Sequence, residues 1–284
     1  MTAMTSSNAP TRYIDAAGVR YAYRRFGKRD GGLPLLCLQH FTGTLDNWDP
    51  AVVDRLAQDR EIILFENAGV GRSGGHVPAS VREMAERVLH FVDALSLAKF
   101  HILGFSLGGF LAQEIALAKP DLVGRLIISG SAPEGGEGAG MDRPELLAIY
   151  TDGEMPMNEK LKRLFFPATP EGQAAATAFV DRLEARSAER DLPAGPEVAS
   201  AQLQAMIAWA NWSGDVHQKL GRITQPVLVT NGDDDRMIPT QNSFALAAGL
   251  PNATLIVYPN SGHGALFQYA DTYVAHVREF LRGL

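Results

Sequence analysis

Along most of this chain, short apolar runs rich in β-branched residues alternate with longer stretches of helical periodicity. That rhythm restricts the fold to the α/β class, a mostly parallel sheet with helices on both faces. Leu33 to Gln39 and Glu61 to Phe65 show no polar alternation, as strands buried on both sides require. Phe100 to Leu103, Leu126 to Ser129, Val227 to Thr230 and Thr254 to Tyr258 continue the strand series. Tyr13 to Asp15 and Val19 to Phe26 flank Gly18 and predict an antiparallel hairpin at the start. Helices are predicted over Asn47–Gln58, Leu107–Ala118, Gln241–Ala248 and Asp271–Leu281. A further helix has a marked start at Ser80-Val81-Arg82-Glu83, a capping box in which Glu83 reaches back to the cap. Val81, Met84, Ala85, Val88, Leu89, Val92 and Leu95 follow as its buried stripe.

The alternation stops between Ala132 and Arg222. A flexible Gly/Glu-rich passage, Glu134 to Gly140, leads into helical patterns without strands. One begins at Thr169-Pro170-Glu171, a capping residue followed by proline at the first helical position, and another runs from Pro196 toward Trp212. Residues 1–132 and 223–284 therefore read as one core, and residues 133–222 as a helical cap inserted in it.

Composition closes off other classes. A net charge of −6 over 284 residues is the wrong sign for a nucleic-acid partner. Arg24, Arg25, Lys28 and Arg29 do cluster, but beside Gly27 and Gly31-Gly32, which predicts a solvated turn. The single cysteine, Cys37, permits no internal disulfide and sits in an apolar run as a small core residue. Met1 to Pro10 has neither the basic start nor the apolar stretch of a signal peptide, and no run is long enough to span a bilayer. These features predict a soluble cytoplasmic protein with no membrane partner.

Gly104-Phe105-Ser106-Leu107-Gly108 carries the chemistry. It matches G-x-S-x-G and lies between a predicted strand and a predicted helix, the context of a nucleophile elbow. The turn forces the serine into strained backbone, so its neighbours must be small, and it lifts the hydroxyl to a helix N-terminus, where an anion is favoured. The competing reading is a serine that only caps the helix. A serine nucleophile needs a base. Of seven histidines, His90 and His276 lie in helices, His101 on a strand, His76 in a loop and His217 in the insertion. His263, in Ser261-Gly262-His263-Gly264, follows the last strand between two glycines that let a loop project it. Asn231-Gly232-Asp233-Asp234-Asp235 offers an acid to orient the imidazole, and either Asp235 or Asp233 fits by spacing. A calcium loop does not, since its glycine and closing glutamate are missing. The order of nucleophile, acid and histidine along the chain is that of an α/β-hydrolase triad.

With these motifs the chain resembles the α/β-hydrolase superfamily, in the branch of small esterases and cofactor-free haloperoxidases. The likeness covers nearly everything outside the insertion and implies an eight-stranded sheet. It assigns the acid to Asp235, three residues after Gly232. It also implies an oxyanion hole made by the backbone N–H groups of Phe41, in His40-Phe41-Thr42-Gly43, and of Leu107. Many relatives have glycine where Phe41 stands, so a ring overhangs the site here. Gly69-Val70-Gly71-Arg72-Ser73-Gly74 fits a dinucleotide fingerprint, but the next helix opens only at Ser80, and the family has such a turn without a cofactor. No cofactor or metal is expected. Phe165, Phe166, Met206, Trp209 and Trp212 are candidates to line a pocket for an apolar acyl small molecule, the alternative being that they pack the cap on the core. The expected reaction is hydrolysis of carboxylic esters or related acyl compounds through an acyl-enzyme. A lactonase, a perhydrolase or a carbon–carbon bond hydrolase would use the same triad. Epoxide hydrolases and haloalkane dehalogenases have aspartate in place of Ser106. The reading from another class is a ligand-binding protein that keeps the fold without turnover, against which the complete set of groups argues.

Overall fold

A computed structural model of the chain describes residues 4–30, 32–140 and 143–283. Its strands are β1 (Arg12–Ala16), β2 (Val19–Gly27), β3 (Leu35–Leu38), β4 (Glu61–Phe65), β5 (Phe100–Phe105), β6 (Val123–Ser129), β7 (Val227–Gly232) and β8 (Ala253–Tyr258). They form one sheet in the order β1-β2-β4-β3-β5-β6-β7-β8. β1 and β2 pair antiparallel as the predicted hairpin, β2 pairs antiparallel with β4, and every later pairing is parallel. Every residue of β3, β4 and β5 is buried, so both faces of the central sheet are covered, as their unbroken apolar sequences require.

The helices of the alternating part are α1 (Pro50–Leu56), α2 (Val81–Ala94) and α3 (Leu107–Ala118). After β6 the chain forms α4 (Pro144–Thr151), α5 (Met157–Phe165), α6 (Pro170–Leu183), α7 (Pro196–Ala210) and α8 (Val216–Leu220), with no strand among the described residues until β7. α9 (Gln241–Gly249), α10 (Ala265–Gln268) and α11 (Ala270–Arg282) complete the chain. Local chemistry sets several boundaries. Ser80 Oγ accepts the Glu83 N–H at 3.2 Å, while Glu83 reaches back one residue further than a simple box, to the Ala79 N–H. The helix predicted from Asn47 is shorter, because Asp49 accepts the Ala51 N–H and Pro50 takes the first helical position. Thr169 caps α6 through the Gly172 N–H at 3.1 Å.

The basic cluster at the end of β2 departs from the predicted solvated turn. Arg24 is fully buried, with Nη1 2.6 Å from Asp46 and Nη2 2.9 Å from Asp191. Arg25 pairs with Glu61, and only Lys28 and Arg29 remain exposed. The partner Asp191 arrives from 167 residues away, on the loop after α6, so no local pattern announces it. Arg182 adds a two-pronged bond to Asp49, at 2.7 and 2.6 Å. The inserted helices are thus tied to the sheet side by buried charge as well as by apolar packing.

The Gly69–Gly74 turn encloses the carboxyl group of Glu66, the residue just after β4. A Cβ on Gly71 would lie 2.3 Å from Glu66 Oε1, and the Arg72 N–H donates to Glu66 Oε2 at 2.7 Å. Burial, reinforced by nearby Asp191, pushes Glu66 up to about 8. Removing the charge on Arg24 leaves the buried pair Asp46 and Asp191 without its closest cation, with Arg186 at 3.6 Å from Asp46 as the remaining one. Arg24→Met is therefore expected to cost about 3–5 kcal/mol in urea unfolding, whereas Lys28→Ala on the exposed turn should stay within about 0.5 kcal/mol.

Candidate active site

Ser106 stands between β5 and α3 with φ 55° and ψ −120°, a conformation costly to any residue with a Cβ. Its backbone is held on three sides. The Ser106 N–H donates to Ser129 O at 2.9 Å, and Ser106 O accepts the Gly109 N–H and the Ser131 hydroxyl. Both motif glycines are sterically compelled. A Cβ on Gly104 would lie 2.3 Å from Gly108 O, and one on Gly108 would lie 2.1 Å from Leu38 O. Strand β3 and helix α3 can approach this closely only where no side chain intervenes. The Ser106 side chain makes no capping bond to α3, which removes the competing reading of a simple helix cap.

The loops after β7 and β8 are knitted together. The Asp233 and Asp234 N–H groups donate to Tyr258 O and Ser261 O, and Asp233 Oδ1 accepts the Ser261 N–H at 3.1 Å. Asp233 and Asp234 are exposed, whereas Asp235 turns inward and is buried. Its Oδ2 lies 2.8 Å from His263 Nδ1, and its Oδ1 accepts the Met237 and Ile238 N–H groups at 2.8 and 3.0 Å. Neither side chain of the pair is exposed to solvent. With Nδ1 committed to the carboxylate, His263 Nε2 is buried and has no hydrogen-bond partner among the described residues. The ring is wedged between Phe105 and Phe165, at centroid distances of 4.9 and 5.4 Å.

The turn after β3 is locked by side chains. The His40 N–H donates to Gln39 Oε1 at 2.9 Å, and His40 Nδ1 meets Phe41 O at 2.8 Å. Burial, opposed by that bond and aided by the neighbouring His263, draws the His40 imidazole from 6.5 down to about 4, so it is neutral in ordinary buffers. The Thr42 N–H donates to Gln202 Oε1 of α7 at 2.7 Å. The N–H groups of Phe41 and Leu107 have no partner among the described residues. Ser106, His263, His40 and Phe41 line one cavity.

Several known proteins are similar to this chain. The α/β-hydrolase fold family matches residues 34–269. The chain belongs to that family. It is 32 % identical over 247 residues to a 2-hydroxy-6-oxononadienedioate/2-hydroxy-6-oxononatrienedioate hydrolase of Cupriavidus pinatubonensis, covering 83 % of this chain and 81 % of that one. A protein of Agrobacterium fabrum named "Putative carbamate hydrolase RutD" is 28 % identical over 264 residues, 90 % of this chain and 95 % of its own. The structure of an α/β-hydrolase fold protein from Chitinophaga pinensis superposes with a TM-score of 0.92 at 38 % identity, covering 98 % of this chain and 99 % of that one. The chain is an enzyme of the hydrolase class. Among its described residues no helix is long and apolar enough to cross a membrane.

The cavity of this hydrolase is small, about 20 Å³ in volume. Of the five expected pocket residues, only Phe165 lines it. Phe166 packs on Phe179, Met206 is buried, and Trp209 stacks on Phe110 at 5.0 Å while donating to Pro133 O. Trp212 lines a separate cleft beside Lys219. These four correct the sequence reading: Phe166, Met206 and Trp209 are packed in the protein interior, and Trp212 faces a different cleft. The apolar wall comes instead from Tyr150 of α4 and from Met157, Leu161 and Leu164 of α5, which recur at helical spacing. Gln202 was also missed. Its signal was a polar residue on the stripe Val198, Ala205, Met206 and Trp209, where apolar residues are the rule.

Two outcomes follow from this geometry. Gly108→Ala must separate α3 from β3 and is expected to cost about 3 kcal/mol or more, read as a fall in Tm. His40, held below its unfolded value of 6.5, contributes stability that is complete above that pH and is lost as the pH falls through about 4. Denaturant unfolding at about pH 7 and about pH 4.5 should show the wild type losing more stability than His40→Gln.

Proposed function

We propose that this enzyme is a serine hydrolase for carboxylic esters or related acyl compounds, acting through Ser106, His263 and Asp235. The observation that carries this reading is the buried Asp235–His263 pair, whose free Nε2 belongs to the same cavity as a serine hydroxyl not engaged in capping. Nε2 takes the Ser106 proton as Oγ attacks the carbonyl carbon. Asp235 keeps the proton on Nδ1 and stabilises the imidazolium. The oxyanion is held by the Phe41 and Leu107 N–H groups, which have no other partner among the described residues, and by the field at the start of α3. Collapse of the tetrahedral intermediate expels the alcohol, which leaves with the proton from Nε2. Water then repeats the sequence on the acyl-enzyme and releases the acid.

Residues 133–222 act in this reading as a cap on the core formed by 1–132 and 223–284. The wall of Tyr150, Met157, Leu161, Leu164 and Phe165 favours an apolar acyl group. The relative from Cupriavidus favours a second reaction on the same residues. Its name gives it as a hydrolase of 2-hydroxy-6-oxononadienedioate, an oxo diacid, which favours cleavage of a carbon–carbon bond beside a ketone as the second reaction.

A panel of nitrophenyl esters of rising acyl length, with lactones and a vinylogous 1,5-diketone added, separates the two. Ser106→Ala is expected to lower kcat on the best substrate by on the order of 10⁶, as loss of a triad nucleophile does, and to abolish labelling by a fluorophosphonate. Near-normal turnover in that variant would falsify the assignment.

A further inference from the structure

We propose that Gln202 is a positioning residue through which the inserted helices hold the oxyanion turn in its working shape. The proposal rests on the reading of Phe41 as an oxyanion donor. Gln202 is 1 % exposed and sits on the apolar stripe of α7. A primary amide in that setting is costly unless bonded. Its carbonyl takes the Thr42 N–H at 2.7 Å across 160 residues of sequence.

Thr42 is where help is needed. Its φ is +57°, a left-handed value that a β-branched residue resists. The remaining ties in the turn are short-range: Gln39 to the His40 N–H, His40 to Phe41 O, Gly43 N–H to His40 O, and the Thr44 N–H to Asn47. Among the described residues of the insertion, only Gln202 bonds the backbone of His40 to Thr44, while Asp191 takes the Asp46 N–H just beyond it. The Tyr150 hydroxyl meets Thr42 Oγ1 at 3.5 Å and its ring lies 4.8 Å from that of Phe41, both from the same inserted segment. Trp209, two turns along from Gln202, fixes α7 to the core through Phe110 and Pro133.

The arrangement couples two events. The cavity over Ser106 is narrow and walled by Tyr150, Met157, Leu161, Leu164 and Phe165 of the inserted segment, so seating an acyl group there displaces these helices. When they move, Thr42 loses its distant acceptor and relaxes toward negative φ, and the adjoining Phe41 N–H turns with it. When they return, the Gln202 bond restores the donor. The oxyanion hole is complete only over a covered substrate.

The test uses the full-length enzyme. Gln202→Met keeps the shape of the side chain and removes the acceptor. It is expected to lower kcat for p-nitrophenyl acetate by about 10²-fold, the scale of a donor displaced by an ångström, with KM within about twofold and Tm within a few degrees. A boronic acid that forms a tetrahedral adduct on Ser106 should lose affinity in parallel with kcat. In a Thr42→Gly background, where glycine takes positive φ without strain, the penalty of Gln202→Met should shrink to less than about tenfold. If Gln202→Met does not fold, Gln202→Asn, which retains an amide but falls short of Thr42, takes its place. Unchanged kcat in a folded variant overturns the proposal. So does a loss confined to KM with boronate affinity intact, or a penalty undiminished by Thr42→Gly. Ser106→Ala separates the failures: if it retains turnover the site reading itself falls, and if it is inactive while Gln202→Met is normal, only the role of Gln202 falls.

Discussion

Strand β3 and helix α3 touch through bare backbone, the Cα of Gly108 against the carbonyl of Leu38, and the geometry of the site descends from that contact. It lets the chain leave β5, reverse at Ser106 and enter α3 without a gap. A serine at φ 55° would relax if either side yielded. It is held because its N–H is bonded to β6 and its carbonyl to Ser131 and the helix. β5 is buried throughout and β6 over its last four residues, so the strands beside Ser106 have little room to give.

The acid and the histidine are organised by a different device. Their two loops exchange backbone bonds from Asp233, Asp234 and Ser261, so the distance between Asp235 and His263 is set before either side chain is considered. Two amides on Oδ1 then leave Oδ2 for the imidazole. Phe105 and Phe165 exclude water from the ring, which strengthens each of these bonds.

The inserted helices are attached by three kinds of contact: the buried charges of Arg24, Asp46 and Asp191, the paired bonds of Arg182 on Asp49, and the stacked ring of Trp209. Charge in that setting favours one docking arrangement over others, because a misplaced helix would leave Asp191 or Arg24 buried without its partner. The polar contact of Gln202 with Thr42 belongs to the same pattern. It reaches the turn that carries Phe41 and so joins the placement of the insertion to the chemistry beneath it.

The sequence by itself determined the sheet, its layers and the positions of Ser106 and His263, because these depend on local periodicity, turn chemistry and small residues at fixed offsets. It also limited the acid to a run of three aspartates, but spacing did not choose among them. Tertiary structure separates them, turning Asp235 inward against His263 and leaving Asp233 and Asp234 at the surface. Arg24 was misread for a related reason: nothing within its own strand reveals an aspartate 167 residues away. The wall of the cavity followed the same rule. Which face of an amphipathic helix meets the substrate space and which meets the core is decided by how the helix docks, and that is a property of the assembled fold alone.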